Sequence, residues 1–503
     1  MAGIKSLAKD TAIYGLSSIV GRFLNWCLVP LYVYLFPTEE YGIVSNLYSL
    51  TAVALIILNY GMETGFFRFA NREGADPDKV YSTSLISVGT TSLIFIILIS
   101  VFIYPVSGAL LLPKHPEYVW LLGITVAIDA FSNIPFAYLR YKNRSVRFAT
   151  IKFLNIGANI ALNLFFLLCC PPLSRHAAGW TINWFYLPMG GEAFGIGWIF
   201  VANILSTVFV LCCLLPFFAG KIRIFDGSLL RKMLSYSWPL LILGVSGVLS
   251  QNMGQILIPY LFKGHEDMAR AMVGVYGANM KIAIVMVMFT QAFRYAYEPF
   301  IFAQAKNKGE DRSQAYCDAM KYFVIFGLFI FLAVMYFLPL LKHFIAPDYW
   351  SGLRVVPIMM AAELCFGVFF NLSLWYKLTD RTRWGMYLSI ICFLLMLGFN
   401  LWLVPAIGIP DGYLGSAWAA LISYFLVMCI SYFVGRHYYP LPYPIGRMAL
   451  YTAIAALFYV AGDWLDFDNM MWLTYISRTL LLAVYVGIVY FGEFASTRGM
   501  RLA

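Results

Sequence analysis

Six ionisable side chains sit inside otherwise apolar sequence and mark where this chain can do chemistry: Arg22, Asp129, Lys152, Lys281, Glu363 and Arg478. A charge at bilayer depth costs on the order of several kcal/mol unless it faces a cavity or a partner, so each has either a functional or a pairing role. Arginine offers a planar fork and lysine a point charge, and both suit the holding of an anionic group. Arg22, in the first apolar block, and Lys281, in the eighth, are the candidate anion-binding pair. Their structural readings are a carboxylate partner for Arg22 and snorkelling towards the surface for Lys281. Asp129 and Glu363 are carboxylates deep in apolar sequence, where desolvation favours proton exchange that could couple transport to an ion gradient; the structural alternative is a buried hydrogen-bonded acid. Glu63, Arg294 and Glu298 close apolar blocks; Arg294 and Glu298 are four apart and share a helix face. They fit either an ion-pair gate or charged anchors of helix ends. Arg478 reads as a structural or lipid-facing residue.

The elements that carry these residues follow from composition. With 61% AVILMFWYC and 12% DEKR over 503 residues, apolar blocks recur from Thr11 to Phe494, each long enough to cross a hydrocarbon core that needs roughly 20 helical residues. The expectation is an all-α polytopic membrane protein with about 14 transmembrane helices. Block one, Thr11 to Phe36, is longer than a signal-peptide core and lacks a small-residue cleavage site, so it is expected to be retained. Alternate gaps hold the Lys and Arg residues, for example Arg68, Arg72 and Lys79, then Arg140, Lys142, Arg144 and Arg147, then Lys221 to Lys232. By the positive-inside rule this places both termini in the cytoplasm.

The net charge of +10 is therefore spread loop by loop on one side of the membrane. It reads as a topology signal with anionic-lipid contact, and not as a nucleic-acid surface. The nine cysteines show no CxxC spacing, and the five histidines are scattered in loops, so no metal site is expected. Neither a P-loop nor a GxGxxG turn appears, which argues against direct ATP use. No cofactor is implied.

A repeat organises the blocks. Tyr41-Gly42 precedes Glu63 by 22 positions, and Tyr276-Gly277 precedes Glu298 by the same offset, which also aligns Tyr60 with Tyr295. A parallel repeat predicts two six-helix lobes, residues 1–220 and 236–435, facing each other across a central cavity. A cytoplasmic linker over 221–235 joins them, and 436–503 adds two spans and a cytoplasmic tail.

The stretches Tyr41-Gly-Ile-Val44, Tyr60-Gly-Met-Glu-Thr-Gly-Phe-Phe-Arg-Phe69 and Gln291-Ala-Phe-Arg-Tyr-Ala-Tyr-Glu-Pro-Phe-Ile-Phe302 carry a family resemblance. The chain resembles Wzx-type polysaccharide-biosynthesis flippases of the multidrug/oligosaccharidyl-lipid/polysaccharide (MOP) exporter superfamily. That resemblance implies two pseudo-symmetric six-helix bundles with two further helices. It also implies translocation of undecaprenyl-diphosphate-linked oligosaccharide across the bacterial inner membrane by alternating access, as in O-antigen and lipopolysaccharide biosynthesis, without covalent chemistry. Arg22 and Lys281 would then hold the carrier diphosphate, with H⁺, Na⁺ or the membrane potential as the alternatives for driving the cycle. One departure is visible: relatives tend to carry an Asp-Arg pair in the seventh span, where this chain has Gly254-Gln255. The alternative within transport is a multidrug or small-solute ion-coupled antiporter. A membrane polysaccharide polymerase or ligase is a weaker alternative, because the longest extracytoplasmic gap, Pro171 to Phe194, holds no recognisable catalytic constellation.

Overall fold

The computed structural model describes residues 20–21, 23–24, 26–175, 186–218, 224–304, 310–379, 381, 383–465 and 471–499. They form helices, with no strand among the described residues. The long helices are α1 (Thr38–Asn59), α2 (Met62–Ala70), α3 (Pro77–Val101), α4 (Pro116–Tyr141), α5 (Ser145–Leu164), α6 (Gly197–Phe218), α7 (Gly227–Leu261), α8 (Glu266–Gln304), α9 (Glu310–Tyr336), α10 (Val355–Leu372), α11 (Arg383–Ile407), α12 (Gly412–Tyr438), α13 (Ile445–Trp464) and α14 (Met471–Gly499). Thirteen spans among the described residues are long and apolar enough to cross a membrane, α1 and α2 together making one of them. Fourteen were expected. The difference lies in the first block, 11–36, in which positions 11–19, 22 and 25 fall outside the described residues and the helix described after them is the short Val29–Leu35.

Local chemistry sets the helix ends. Asp76 accepts from the backbone N–H groups of Asp78 and Lys79, at 3.0 and 3.3 Å, with Pro77 at the first helical position. Asp226 does the same for Ser228 and Leu229 at 2.9 and 3.0 Å and so opens α7. These side chains satisfy donors that a helix start leaves free. Between α1 and α2 the chain turns through two left-handed residues, Tyr60 (φ 32°) and Gly61 (φ 70°). Glycine adopts that region without penalty, and it bears the second half of the turn.

The packing divides the chain into two compact units, Met1–Gly274 and Val275–Ala503. In the first, α4 is the central helix, packed by α1, α3 and α6, while α7 lies on α1 and α2. Its core at the Lys/Arg-rich end is aromatic: Phe66, Tyr81 and Tyr138 are buried, with the two tyrosine rings 4.2 Å apart. In the second unit α12 packs on α10 and α11, and α9 is flanked by α13 and α14. The last two spans thus share one core with α9, built on Tyr336, Tyr451 and Tyr485.

Candidate functional site

Three helices of the first unit bring opposite charges near one another. Half-buried Asp129 on α4 lies within electrostatic reach of half-buried Lys152 on α5, with Thr207 of α6 close by. The Lys152 ammonium also lies 4.1 Å from the ring centre of Phe136. The opposite charge and the ring face each offset part of the cost of keeping the lysine in apolar surroundings. Asp129 and Lys152 appeared as separate charges in the sequence; the fold brings them into one neighbourhood.

Beside that group runs an amide ladder which sequence reasoning missed. Tyr32 donates to Asn163 Oδ1 (2.9 Å), Asn163 Nδ2 to Asn159 Oδ1 (3.2 Å), Asn159 Nδ2 to Asn203 Oδ1 (2.7 Å), and Asn203 Nδ2 to the Tyr48 hydroxyl (2.5 Å). A signal for it existed, since Asn155, Asn159 and Asn163 recur every four residues and line one face of α5. Attention to formal charge passed over them. Each amide in hydrocarbon needs a partner as a charge does, at a smaller cost.

The Tyr60–Phe69 stretch works mainly as packing. Met62, Gly65, Phe66 and Phe69 are buried, and α7 crosses close by: Ser237 donates to the Gly61 carbonyl at 3.2 Å, and a Cβ on Gly65 would sit 2.9 Å from Ser237 Oγ. Its charged residues and those of the adjoining helix ends have their own partners. Glu63 pairs with Arg140 at the end of α4. Asp226 pairs with Lys79 at 2.7 Å, and the Lys79 ammonium, the Ser228 hydroxyl and the Leu229 N–H together hold its carboxyl well below the usual carboxylate range. Arg68 lies 4.0 Å from the ring centre of Tyr236.

Further along α7, the position of the Asp-Arg departure is neutral and engaged. Ser49 of α1 donates to the Gln255 side-chain carbonyl, and Asn46 of α1 donates to its backbone carbonyl at 2.6 Å. At the opposite end of α1 the chain makes its closest helix crossing. A Cβ on Gly42 would lie 1.9 Å from the Arg270 carbonyl oxygen, and one on Gly274 would lie 2.0 Å from that of Thr38. Two glycines thus face each other backbone to backbone. Arg270 holds the neighbouring turn by donating to the Leu111 carbonyl at 2.6 Å and to Asp267 at 3.0 Å.

The second unit carries the remaining candidates. Lys281 is half-buried on α8. Glu363 on α10 is buried, in the same unit as the buried Tyr276 of α8 and Tyr424 of α12. Arg294 lies 4.2 Å from the ring centre of Phe370. Glu298 lies on α8, but its side chain and the whole of Arg22 fall outside the described residues. Arg478 is buried and donates to two backbone carbonyls, Gly462 at 3.2 Å and Tyr336 at 3.3 Å. It fastens α14 to α13 and α9, which is the structural alternative read from the sequence. A second fastening was not foreseen: buried Lys321 of α9 binds Glu493 of α14 at 2.5 Å, and Tyr451 of α13 donates to the same carboxylate at 2.9 Å.

Comparison with known proteins bears on this arrangement. Residues 34–170 match a family described as polysaccharide biosynthesis protein. That segment includes Glu63, Asp129 and Lys152. No curated protein matches the sequence. Among solved structures, an inward-facing MATE-family multidrug resistance transporter of the MOP superfamily is similar at 16% identity and TM-score 0.66, over 83% of this chain and 94% of that one. The lipid II flippase MurJ in an inward closed conformation matches at 13% identity and TM-score 0.66, over 97% of this chain and 100% of that one. The MATE multidrug transporter DinF-BH matches at 16% identity and TM-score 0.58, over 84% of this chain and 95% of that one. The resemblance drawn from the sequence is borne out: this multi-pass membrane chain is similar to polysaccharide biosynthesis proteins over residues 34–170 and has the fold shared by MATE transporters and MurJ.

Proposed function

We propose that the protein is a transporter that flips an undecaprenyl-diphosphate-linked oligosaccharide across the bacterial inner membrane by alternating access, for surface polysaccharide biosynthesis, with both termini cytoplasmic. The observation that carries this reading is the joint match to a polysaccharide-biosynthesis family and to the full length of a lipid II flippase, including the last two helices. In this reading Arg22 and Lys281 hold the diphosphate, Asp129 and Glu363 exchange the coupling cation, and Glu63, Arg294 and Glu298 belong to a gate. The two lobes are residues 1–220 and 236–435. Gly254-Gln255 carry no charge in the seventh span, and the cations assigned to the diphosphate in this reading are Arg22 and Lys281. An arginine fork and a lysine point charge suit a diphosphate, and the transfer needs no bond to be broken.

A second reading, a multidrug or small-solute ion-coupled antiporter, is favoured by the likeness to MATE transporters. Glycan display in a strain lacking its own flippase separates the two. Wild-type protein restores display, and Arg22→Ala with Lys281→Ala abolishes it at normal membrane levels. Arg22→Lys keeps part of it. Full display by the double alanine variant overturns the diphosphate assignment, and failure of the wild type to restore display, with drug efflux intact, favours the antiporter.

A further inference from the structure

Four cations converge on one concavity at the Lys/Arg-rich end of the first unit. Arg68, at the end of α2, and Arg72 just after it meet Arg231 and Lys232 of the first turns of α7, around a cavity of about 430 Å³. No acidic residue is among the described residues that line it. Of the carboxylates nearby in the sequence, Asp226 holds Lys79 and caps α7, Glu63 holds Arg140, and Glu73 is exposed outside the cavity lining. Charges that only set topology are spread along loops and solvated. Here two guanidiniums are fixed on ring faces, Arg68 at 4.0 Å from Tyr236 and Arg72 at 4.3 Å from Phe69, and those two rings meet edge to face at 6.4 Å. The aromatic floor orients the forks before any ligand arrives, which lowers the ordering cost of binding.

Two further features point to a lipid. The cavity lies where one apolar span, Thr38–Ala70, ends and another, Gly227–Leu261, begins, and the ends of spans are where lipid head groups meet a membrane protein. On α7, Leu234 and Trp238 are 40% and 59% exposed, four residues apart on one face just beyond Arg231 and Lys232. That gives an apolar track leading away from a cationic cup, and tryptophan favours the interface.

We propose that this cup is a surface binding site for the phosphoryl head group of a membrane lipid, matched to a diphosphate ester and not to a phosphodiester. Four cations without an acid suit a ligand with at least two negative charges, and the arginine forks suit paired phosphoryl oxygens. The choice of a diphosphate lipid rests on the transport reading above, for which the cup is a capture point separate from Arg22 and Lys281.

The test uses the full chain in phosphatidylcholine nanodiscs with farnesyl diphosphate as probe. Arg68→Gln with Arg231→Gln should weaken binding at least tenfold, with unchanged thermal unfolding because these side chains are exposed. Lys142→Gln with Arg144→Gln removes equal charge elsewhere at the same end and should leave binding within twofold. Equal weakening by both pairs overturns the site and leaves diffuse attraction. Full competition by phosphatidylglycerol added to the nanodisc overturns the diphosphate preference, and equal competition by inorganic pyrophosphate overturns the lipid assignment. Unchanged probe binding with export lost in Arg22→Ala supports both proposals; probe binding lost in the Arg68 and Arg231 variant while the wild type fails to restore export keeps the cup and sinks only the transport reading.

Discussion

Placing a methyl group at Gly42 tests the tightest contact in the first unit. The Cβ of Gly42→Ala would lie 1.9 Å from the Arg270 carbonyl oxygen, 2.7 Å from its carbon and 3.1 Å from the Gly274 nitrogen. Every one of these atoms is backbone, so no side chain can swing aside. Ordinary contact begins near 3.4 Å, and the α1 and α8 backbones must therefore part by about 1.5 Å. Inserting a single carbon into a packed site costs about 1–3 kcal/mol, and a rigid backbone wall puts this one at the upper end. The gain from replacing a helical glycine by alanine, about 1 kcal/mol, does not offset it. Gly42→Ala should thus destabilise the protein by about 2 kcal/mol net. Gly157→Ala on α5 is the control, because its Cβ would meet nothing within 4 Å; it should be neutral or mildly stabilising. Thermal unfolding of the purified variants, followed by tryptophan fluorescence, reads the difference. Equal tolerance of the two substitutions would refute the argument that the α1–α8 approach is set by glycine backbones.

The Asp129–Lys152 neighbourhood predicts non-additivity: Asp129→Asn or Lys152→Met alone should cost about 1–3 kcal/mol, since each leaves a half-buried charge without its opposite, while the double variant recovers part of the loss in the same unfolding assay. Glu493→Gln should loosen α13 and α14, seen as faster hydrogen exchange in both helices, and Lys321→Met in the same chain should partly restore protection. Asp226 predicts an acid effect. Because Lys79 and the helix start lower its folded-state pKa, its stabilisation is present above the ordinary carboxylate range and is lost as pH falls through the depressed folded value; unfolding measured against pH should be flat between about 5 and 8 from this group and fall in acid, and Asp226→Asn should flatten the acid limb.

The architecture was legible because bilayer depth imposes a run length that no other environment requires. The spans followed from hydropathy alone, and the Tyr60–Phe69 and Gln291–Phe302 stretches carried the resemblance. The site was legible as residue types and not as partnerships. Asp129 and Lys152 are 23 positions apart in the sequence and come within electrostatic reach only because α4, α5 and α6 pack together. Lys321 gave no signal, because a lysine near the start of an apolar block resembles a surface residue until Glu493 arrives from the other end of the chain. The asparagines of α5 were visible at a spacing of four, yet carry no net charge to draw notice. Gln255 illustrates the reverse case: the sequence exposed what the position lacks, and the structure shows what it bonds to instead.

The Lys321–Glu493 bond also sets a clock on biosynthesis. Its partners are separated by 172 residues, which a ribosome adding roughly 5–20 residues per second takes about 10–30 s to make. Throughout that interval α9 can be in the bilayer with its lysine, while the carboxylate that will bind it does not yet exist. Asp318, one turn earlier on the same helix and 3.2 Å from the ammonium, is a partner delivered with Lys321 itself. It can shelter the charge in the nascent chain and then share it once α14 arrives, so a local contact of small value in the finished protein acts as a chaperone for an unfinished one.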